Sequence, residues 1–565
     1  MKSIYEQQPW LNTYHEGCPA KIQIPEISVR QAFEETTEKW KHKIAMIYYG
    51  KKITYQELRE KVDRLATALS DLGIHKGDRV ALLLLNCPEH VIAFYALVRI
   101  GAIIVPLSPV YVSVEIKHQL EDSGTESIIC QDMLYSKVEK TEVKFKNVIL
   151  SNITESMPKI KKFMGKSVLK GVYQKMAAPS PDILMQENFY WLQELIKEYP
   201  PDPPEVDVDV KKDIITLPYT SGTTGPPKGV MITNYNIIAN EAQYHAFYQF
   251  FDDGKETIIS YMPFNHAAGQ FMCLLSGIMR GYTLVVITNP DLSVILNYIR
   301  KYNVTIFMGA PTIYESLKEH EKTDRVDWKK LKLVLSAADA LHSVTSTDWK
   351  NRTGVSIYEG YGMTELTCIS HMTPLDKIKP GSVGVPLPNI LAAVLDPDKD
   401  EYMPAGELGE IVVSAPQSTI GYWKNPEATK DCESIINGIR WWRTGDLGKM
   451  DEDGYFYYYD RKRDLIKYKG LRVYAREVEE VLKTHPQIKE VGLIGVPDIK
   501  VGENVKAYVV CETEARGNLS EQDIIDYCQG KLSHYKIPKI VEFVGEIPKT
   551  DVGKVSRREL RTEDF

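Results

Sequence analysis

Two continuous apolar segments constrain the fold of this chain more than any other feature of its sequence. They are DRVALLLLN (78–86) and AIIVPLSP (102–109), and the segment CPEHVIAFYALVRIG (87–101) separates them. A continuous apolar run is typical of a strand that is buried on both faces. Pro88 and Gly101 stand near the two ends of the intervening segment, as they do in helices. With the amphipathic helix predicted over residues 53–73, the alternation predicts βαβ units and a parallel, doubly wound α/β sheet.

Length and composition narrow the class of protein. A chain of 565 residues is too long for one core, so we expect at least two domains. The net charge of −7 argues against a general nucleic-acid-binding protein. The N-terminal residues lack the apolar core of a signal peptide, and no apolar run reaches the length of a membrane span. The eight cysteines include no CxxC pair, which predicts reduced thiols and no zinc site in a cytoplasmic protein.

Residues 159–175 form a basic segment with six lysines and no acidic residue. Its apolar residues recur at near-helical spacing, and a basic amphipathic helix can lie on an anionic membrane surface. The alternative is a helix that packs on its own domain with solvated lysines. Gly165 and Gly171 weaken the helix and favour this alternative.

A glycine-rich stretch, YTSGTTGPPKG (219–229), follows the predicted strand DIITLPY (213–219) and precedes a predicted helix that begins near Asn234. Glycines let backbone N–H groups approach an anion closely, hydroxyl groups add donors, and Lys228 adds a positive charge. The stretch is not a Walker A loop, because Pro227 precedes the lysine and Gly229 follows it. We predict a polyphosphate site, with a solvated turn as the alternative.

A second motif is IYEGYGMTEL (357–366). Gly360 and Gly362 permit a tight backbone around Tyr361, whose ring can stack on a flat base such as adenine. Thr364 can donate to a phosphate oxygen. Glu365 offers a hard oxygen ligand for Mg²⁺, which binds through one or two carboxylates together with phosphates and water.

Three further segments carry candidate side chains. ISYMPFNHAAGQF (259–271) places His266 in a loop after a strand, although a lone histidine is more often structural. RTGDLG (443–448) places Asp446 where a carboxylate can accept from two ribose hydroxyls, although an aspartate in such a turn is common. Basic residues also occur near the start and near the end of the C-terminal region, in GYFYYYDRKRDLIKYKG (454–470) and EIPKTDVGK (546–554).

In this order and spacing, the motifs resemble those of the adenylate-forming superfamily: acyl- and aryl-CoA synthetases, luciferases and the adenylation domains of peptide synthetases. The resemblance covers the chain from about residue 30 to its end. It implies a large N-terminal domain (1–462) of doubly wound sheets with a β-barrel-like subdomain. It also implies a mobile, small α+β C-terminal domain (463–565), with Arg463 as the hinge.

The resemblance implies a two-step reaction on a small-molecule carboxylate, with ATP, Mg²⁺ and CoA. ATP and the carboxylate form an acyl-adenylate with release of pyrophosphate, and CoA then takes the acyl group. The implied catalytic residues are Lys554, Thr364, Glu365 and His266. The implied nucleotide-binding residues are Thr220, Ser221, Gly222, Thr223, Thr224, Gly225, Lys228, Tyr361, Gly362, Asp446 and Arg461. The implied metal ligands are Thr224 and Glu365, and the implied CoA contacts are Lys469 and Gly470.

The acyl group is the least determined part of this prediction. The implied acyl pocket consists of His266, Gly309, Ala310, Ala337, Ala338 and Gly362. Acetyl-type enzymes of the superfamily have a tryptophan where this chain has Gly362, so we expect room for a medium- or long-chain fatty acid. LVLSAADAL (333–341) departs from the family pattern at Ala337, Asp339 and Ala340, which leaves the pocket's shape open. The alternatives are an aryl- or hydroxyacyl-CoA ligase and a non-catalytic nucleotide- or lipid-binding adaptor; a homodimer is a further expectation.

Overall fold

A computed structural model describes residues 3–158, 187–220, 226–375, 377–469, 471–512, 519–549 and 555–562. Several predicted features lie outside these residues. They are the basic segment 159–175 and the site residues Ser221, Gly222, Thr223, Thr224, Gly225, Gly470 and Lys554. Among the described residues, no helix is both long enough and apolar enough to cross a bilayer.

The first sheet contains the two apolar segments that predicted the fold. Its seven strands within the described residues are, in spatial order, Ile232–Thr233, Ile214–Thr216, Ile103–Pro106, Arg79–Leu83, Ser127–Gln131, Asn147–Ser151 and Phe189–Trp191. All neighbouring strands pair in parallel except the first pair, which is antiparallel. The helices of this region are Tyr55–Asp71, Pro88–Ile100, Ser113–Ser123, Tyr135–Glu139 and Leu192–Glu198. The predicted parallel α/β architecture is confirmed.

The helix predicted over residues 53–73 begins two residues later than its sequence pattern suggested, at Tyr55. Lys51–Thr54 pairs as a strand with Ile44–Tyr48, so the chain is still extended at Ile53. Thr54 then caps the helix, because its Oγ1 accepts from the Glu57 amide at 3.2 Å while the Glu57 carboxylate accepts from the Thr54 amide at 2.7 Å. Such a reciprocal capping box satisfies two amides that the helix leaves unpaired.

The second sheet has nine strands in the part of the chain that the structure describes. In spatial order they are Val385–Pro386, His371–Met372, Tyr358–Tyr361, Leu333–Ser336, Ile306–Gly309, Thr257–Ser260, Thr283–Val286, Ile44–Tyr48 and Lys51–Thr54. The six central strands are parallel. The helices of this region are Val29–Lys39, Asn234–Phe247, Ser276–Met279, Leu292–Lys301, Pro311–Glu319 and Ser343–Thr353, together with the π-helix Gly269–Leu275.

A third sheet of the N-terminal part of the chain is antiparallel. Its strands are Leu391–Leu395, Gly409–Ser414, Ile439–Met450, Glu433–Ile436 and Phe456–Arg461, and the helix Pro426–Asp431 precedes one of them. Leu82, Leu284 and Val412, one from each of the three sheets, belong to one continuous buried apolar core. The N-terminal sheets therefore pack as a single body.

The C-terminal sheet has its own buried core. Its strands are Leu471–Val473, Ile466–Tyr468, Gly502–Cys511, Ile488–Asp498 and Ile540–Phe543. Its helices are Ala475–Lys483, Glu521–Cys528 and Arg557–Thr562. The short 3₁₀ turn Lys462–Asp464 connects this sheet to the preceding one, and the predicted domain boundary at residue 463 falls inside it.

Short elements complete the described chain. They are the helix Ile4–Gln7, the paired two-residue strands Tyr219–Thr220 and Lys228–Gly229, and the 3₁₀ turns Pro9–Thr13, Asp132–Leu134, Thr323–Arg325, Trp328–Lys330 and Thr364–Leu366.

Candidate active site

A cavity of about 470 Å³ lies where the three N-terminal sheets meet. This volume is in the range of small-molecule sites. The predicted site residues that line it are Thr220, Lys228, His266, Ala337, Ala338, Tyr361, Gly362, Thr364, Glu365, Arg461 and Arg463. Residues that are more than 200 positions apart in the sequence therefore meet around one space.

The sheet topology explains this convergence. His266 follows the strand Thr257–Ser260, Ala337 follows Leu333–Ser336, and Tyr361 ends Tyr358–Tyr361. These strands are parallel, so their carboxyl ends lie at one edge, which is where open α/β sheets bind ligands. Lys228 lines the same cavity from a separate two-stranded hairpin, in which it pairs with Thr220.

Asp446 lies behind the cavity wall, in contact with two cavity-lining residues. The Tyr361 hydroxyl donates to Asp446 Oδ2 at 2.7 Å, and Arg461 Nε is 2.9 Å from Oδ1. Strand pairing sets Asp446 opposite Arg461, and the aspartate side chain is only 1% exposed. The Asp446 carboxylate raises the pKa of Arg461, so the guanidinium stays charged. A ribose could reach Asp446 only if these contacts opened, so its predicted role remains a prediction.

Glu365 is a buried carboxylate at the cavity wall, in the turn Thr364–Leu366. Its Oε1 accepts a hydrogen bond from the Tyr422 hydroxyl at 2.8 Å. Burial raises the pKa of Glu365, and the hydrogen bond from Tyr422 acts in the opposite direction. The Lys228 ammonium lies 5.1 Å from the centroid of the Tyr422 ring. Sequence reasoning missed Tyr422, for which the only signal was its place after Gly421 in the segment GYW.

A second cavity of about 390 Å³ adjoins the first, because Ser108 and Asn265 line both. Ala310 lines it as well. Most of its wall is apolar, with Leu85, Val110, Tyr261, Met262, Leu292 and Ile313 among the lining residues. Gly309 stands beside this space, since a Cβ there would collide with side-chain atoms of Tyr261 and Ile313. The predicted acyl-pocket residues are therefore divided between the two cavities. The first is lined by His266, Ala337, Ala338 and Gly362, and the second has Ala310 in its wall and Gly309 beside it.

Gly362 lines the first cavity, and its surroundings agree with the tight backbone that the motif predicts around Tyr361, while the expected room for an acyl chain stays a prediction. A Cβ at Gly362 would overlap the carbonyl oxygen of Cys368. The close approach of these two backbone segments requires glycine, whatever acyl chain the cavity accepts. A tryptophan at this position would have to displace the backbone, so it would not simply fill the pocket.

Two other site residues have distinct surroundings. Ala338 has a φ of +77°, a left-handed conformation that is strained for a residue with a side chain. Lys469, the predicted CoA contact, is exposed on the C-terminal sheet, where its amide donates to the Val501 carbonyl at 2.6 Å. It lines neither of the two cavities described above.

Comparisons with known proteins agree with this geometry. The family model of the AMP-binding enzyme matches residues 33–423, and that of the AMP-binding enzyme C-terminal domain matches residues 477–554. The chain is 34% identical over 565 residues to a long-chain-fatty-acid–CoA ligase of Bacillus subtilis (strain 168), covering 99% of each protein.

Two solved structures share the fold. ATP-bound MatB from Rhodopseudomonas palustris matches with a TM-score of 0.80 and 28% identity, over 95% of this chain and 99% of that one. The anthranilate CoA ligase AuaEII in complex with anthranoyl-AMP matches with a TM-score of 0.80 and 26% identity, over 96% and 98%. Because the two family models and the full-length relative agree, this chain belongs to the AMP-binding enzyme family.

Proposed function

We propose that the protein is an AMP-forming acyl-CoA synthetase, which converts a carboxylate, ATP and CoA into acyl-CoA, AMP and pyrophosphate. The observation that carries this proposal is the convergence of Lys228, Glu365 and Arg461 on one cavity. Two cations and one buried carboxylate suit the phosphates of a nucleotide and the metal ion that accompanies them. A non-catalytic adaptor would have no need for all three in one place.

In the first step, a carboxylate oxygen of the substrate attacks the α-phosphorus of ATP. The bond from the α-phosphorus to the bridging oxygen breaks, pyrophosphate leaves, and an acyl-adenylate remains. Lys228 and the Thr364 hydroxyl would hold the phosphates in line, so the chain contributes mainly position and charge. The relative AuaEII, solved with anthranoyl-AMP, supports an adenylate intermediate. Lys554 would stabilise charge that develops between the carboxylate and the α-phosphate.

Mg²⁺ fits the donor set at this cavity. Glu365 is a buried carboxylate at the wall, and its Oε1 is already held by Tyr422. One carboxylate suits an ion that takes most of its ligands from phosphates and water. Glu365, and Thr224 by resemblance, would hold the ion. The charge of a bound Mg²⁺ would offset that of the phosphate oxygens.

In the second step, the CoA thiolate attacks the acyl carbon of the adenylate, the carbon–oxygen bond to AMP breaks, and AMP leaves. We propose that the C-terminal unit, residues 463–565, turns about Arg463 between the two steps. Arg463 is exposed, and the turn that contains it joins two separate sheets. Lys469 and Gly470 would reach CoA only after the C-terminal unit has rotated.

For the acyl group, we propose a long-chain fatty acid. The apolar second cavity lies next to the nucleotide cavity and provides a place for a chain that extends beyond the carboxylate. The full-length Bacillus subtilis relative is named for this substrate class. An aryl substrate is the alternative, because the structural relative AuaEII is an anthranilate CoA ligase. A homodimer, membrane contact through residues 159–175 and a cytoplasmic location remain predictions.

The decisive assay measures pyrophosphate release with carboxylic acids of graded chain length and with benzoate, each with and without CoA. We expect long-chain fatty acids to give the highest kcat/KM, and acyl-CoA to appear only when CoA is present. Preferential turnover of benzoate would support the aryl alternative. If no carboxylate releases pyrophosphate, the adaptor is the better account.

A further inference from the structure

Tyr422 contacts two groups of the proposed nucleotide site at once. Its hydroxyl donates to Glu365 Oε1 at 2.8 Å, and its ring centroid is 5.1 Å from the Lys228 ammonium. The first contact is a hydrogen bond to a carboxylate, and the second has the geometry of a cation–π interaction. Tyr422 itself lines the cavity and is 7% exposed.

The backbone around Tyr422 is attached to both of the segments that it links. On the lysine side, the Trp423 amide donates to the Gly229 carbonyl at 2.8 Å, and the Met231 amide donates to the Gly421 carbonyl at 3.0 Å. On the glutamate side, the Thr419 amide donates to the Glu365 carbonyl at 2.7 Å. The backbone that carries Tyr422 is therefore attached to both partner segments, while burial and the hydroxyl's hydrogen bond to Glu365 hold the ring itself.

We propose that Tyr422 is a positioning residue for adenylate formation, which holds the Glu365 carboxylate and the Lys228 ammonium at a fixed separation across the phosphate site. This deepens the function proposed above and rests on it. A long, flexible lysine and a buried glutamate each need a partner to keep one geometry. A tyrosine can contact the glutamate with its hydroxyl and the lysine with the face of its ring. The hydroxyl orients Glu365, while the face of the ring limits the positions open to Lys228.

The two ends of Tyr422 can be tested separately. Tyr422→Phe removes the hydroxyl and keeps the ring, so it should lower the kcat of pyrophosphate release about 10-fold, the effect of losing one hydrogen bond to a charged group. The KM for ATP should change less than about 3-fold, because the ring still faces Lys228. Tyr422→Leu removes both ends, so it should also raise the KM for ATP and the Kd for ATP measured by calorimetry, each about 3- to 10-fold.

Tyr455→Phe is a matched control. Tyr455 is also buried, its hydroxyl donates to the Lys377 carbonyl at 2.6 Å, and the Lys379 ammonium is 4.5 Å from its ring centroid. It lines neither cavity described above. This variant loses the same hydroxyl from a similar environment, so it should keep the wild-type kcat and KM for ATP even if its unfolding temperature falls.

A double-mutant cycle decides whether Tyr422 acts through Glu365. In a Glu365→Gln background, Tyr422→Phe should lower kcat by less than about 3-fold, because the charged acceptor is already gone. Equal effects of Tyr422→Phe in both backgrounds would overturn the proposal, and so would a wild-type kcat for Tyr422→Phe. Loss of activity in parallel with loss of folding, in Tyr422→Phe and Tyr455→Phe alike, would reduce Tyr422 to a packing residue. A wild-type protein that releases no pyrophosphate would instead refute the proposed function.

Discussion

Glu359, two residues before Tyr361, shows how burial at the edge of the site changes the chemistry of one residue. Burial raises the pKa of its carboxyl from the usual 4.5 to about 7, although the nearby Arg476 acts in the opposite direction. The folded protein therefore favours the protonated form. This contribution to stability is complete below about pH 4 and is lost as the pH rises through 7.

Glu359→Gln tests this dependence, since glutamine cannot ionise. Relative to wild type, the variant should gain about 1 to 3 kcal/mol of unfolding free energy between pH 5 and pH 8, because only the wild type has to ionise a half-buried carboxyl whose pKa is raised. Chemical denaturation at the two pH values measures the difference. A difference between variant and wild type that does not change with pH would show that Glu359 is not protonated in the folded protein.

Ala310 tests the proposed site of the acyl chain. It lines the second cavity, and its extended backbone before Pro311 accepts a larger side chain without strain. Ala310→Phe should lower kcat/KM for hexadecanoate at least 10-fold and for octanoate less than about 3-fold, because a phenyl group fills space that only the longer chain needs. The KM for ATP serves as the control and should not change. Equal losses with both acids would place the chain elsewhere.

For single residues, the sequence predicts site residues that lie within a short motif better than residues whose role depends on a contact with a distant part of the chain. Lys228, Tyr361 and Glu365 belong to motifs, and all three line one cavity. Tyr422 is 57 residues from Glu365 in the chain, so only the folded structure shows their hydrogen bond. The collision between a Cβ at Gly362 and the Cys368 carbonyl also depends on tertiary contact, which a single sequence does not contain.

At the scale of elements, the proposed rotation of the C-terminal unit depends on the turn Lys462–Asp464. Proline at Arg463 fixes φ near −65° and removes the N–H, so it restricts any backbone change in this turn. Arg463→Pro should therefore release pyrophosphate while forming almost no acyl-CoA. Arg463→Ala, which leaves the backbone free, should complete both steps. If Arg463→Pro formed acyl-CoA at the wild-type rate, the pivot would lie elsewhere.

Long elements with a strong hydrophobic pattern could be predicted, and short ones could not. The helix predicted over residues 87–101 is observed as Pro88–Ile100, with Gly101 in the left-handed conformation at its end. The two-residue strands Tyr219–Thr220 and Lys228–Gly229 have too few residues for any periodicity to show. Their pairing closes a short antiparallel hairpin, which sets Lys228 beside Thr220 at the cavity.

On the scale of the whole molecule, the C-terminal unit contacts a helix, a strand and a loop of the N-terminal part of the chain. Glu480, on the helix Ala475–Lys483, accepts from His342 Nδ1 at 2.7 Å, and Lys483 lies 3.6 Å from Glu315. Arg476 donates to the Tyr458 carbonyl at 2.9 Å. Among the described residues, these polar contacts cross between the two units without an apolar core that both units share, which suits an interface that can form and break.

The proposed reaction requires that the carboxylate becomes bonded to AMP before CoA takes the acyl group. Its most direct test uses hexadecanoate with ¹⁸O in both carboxylate oxygens and follows the label by mass spectrometry. AMP should acquire one ¹⁸O per acyl-CoA formed, because the second step breaks the bond between the acyl carbon and that oxygen. Unlabelled AMP, or ¹⁸O in inorganic phosphate or pyrophosphate, would contradict an acyl-adenylate route.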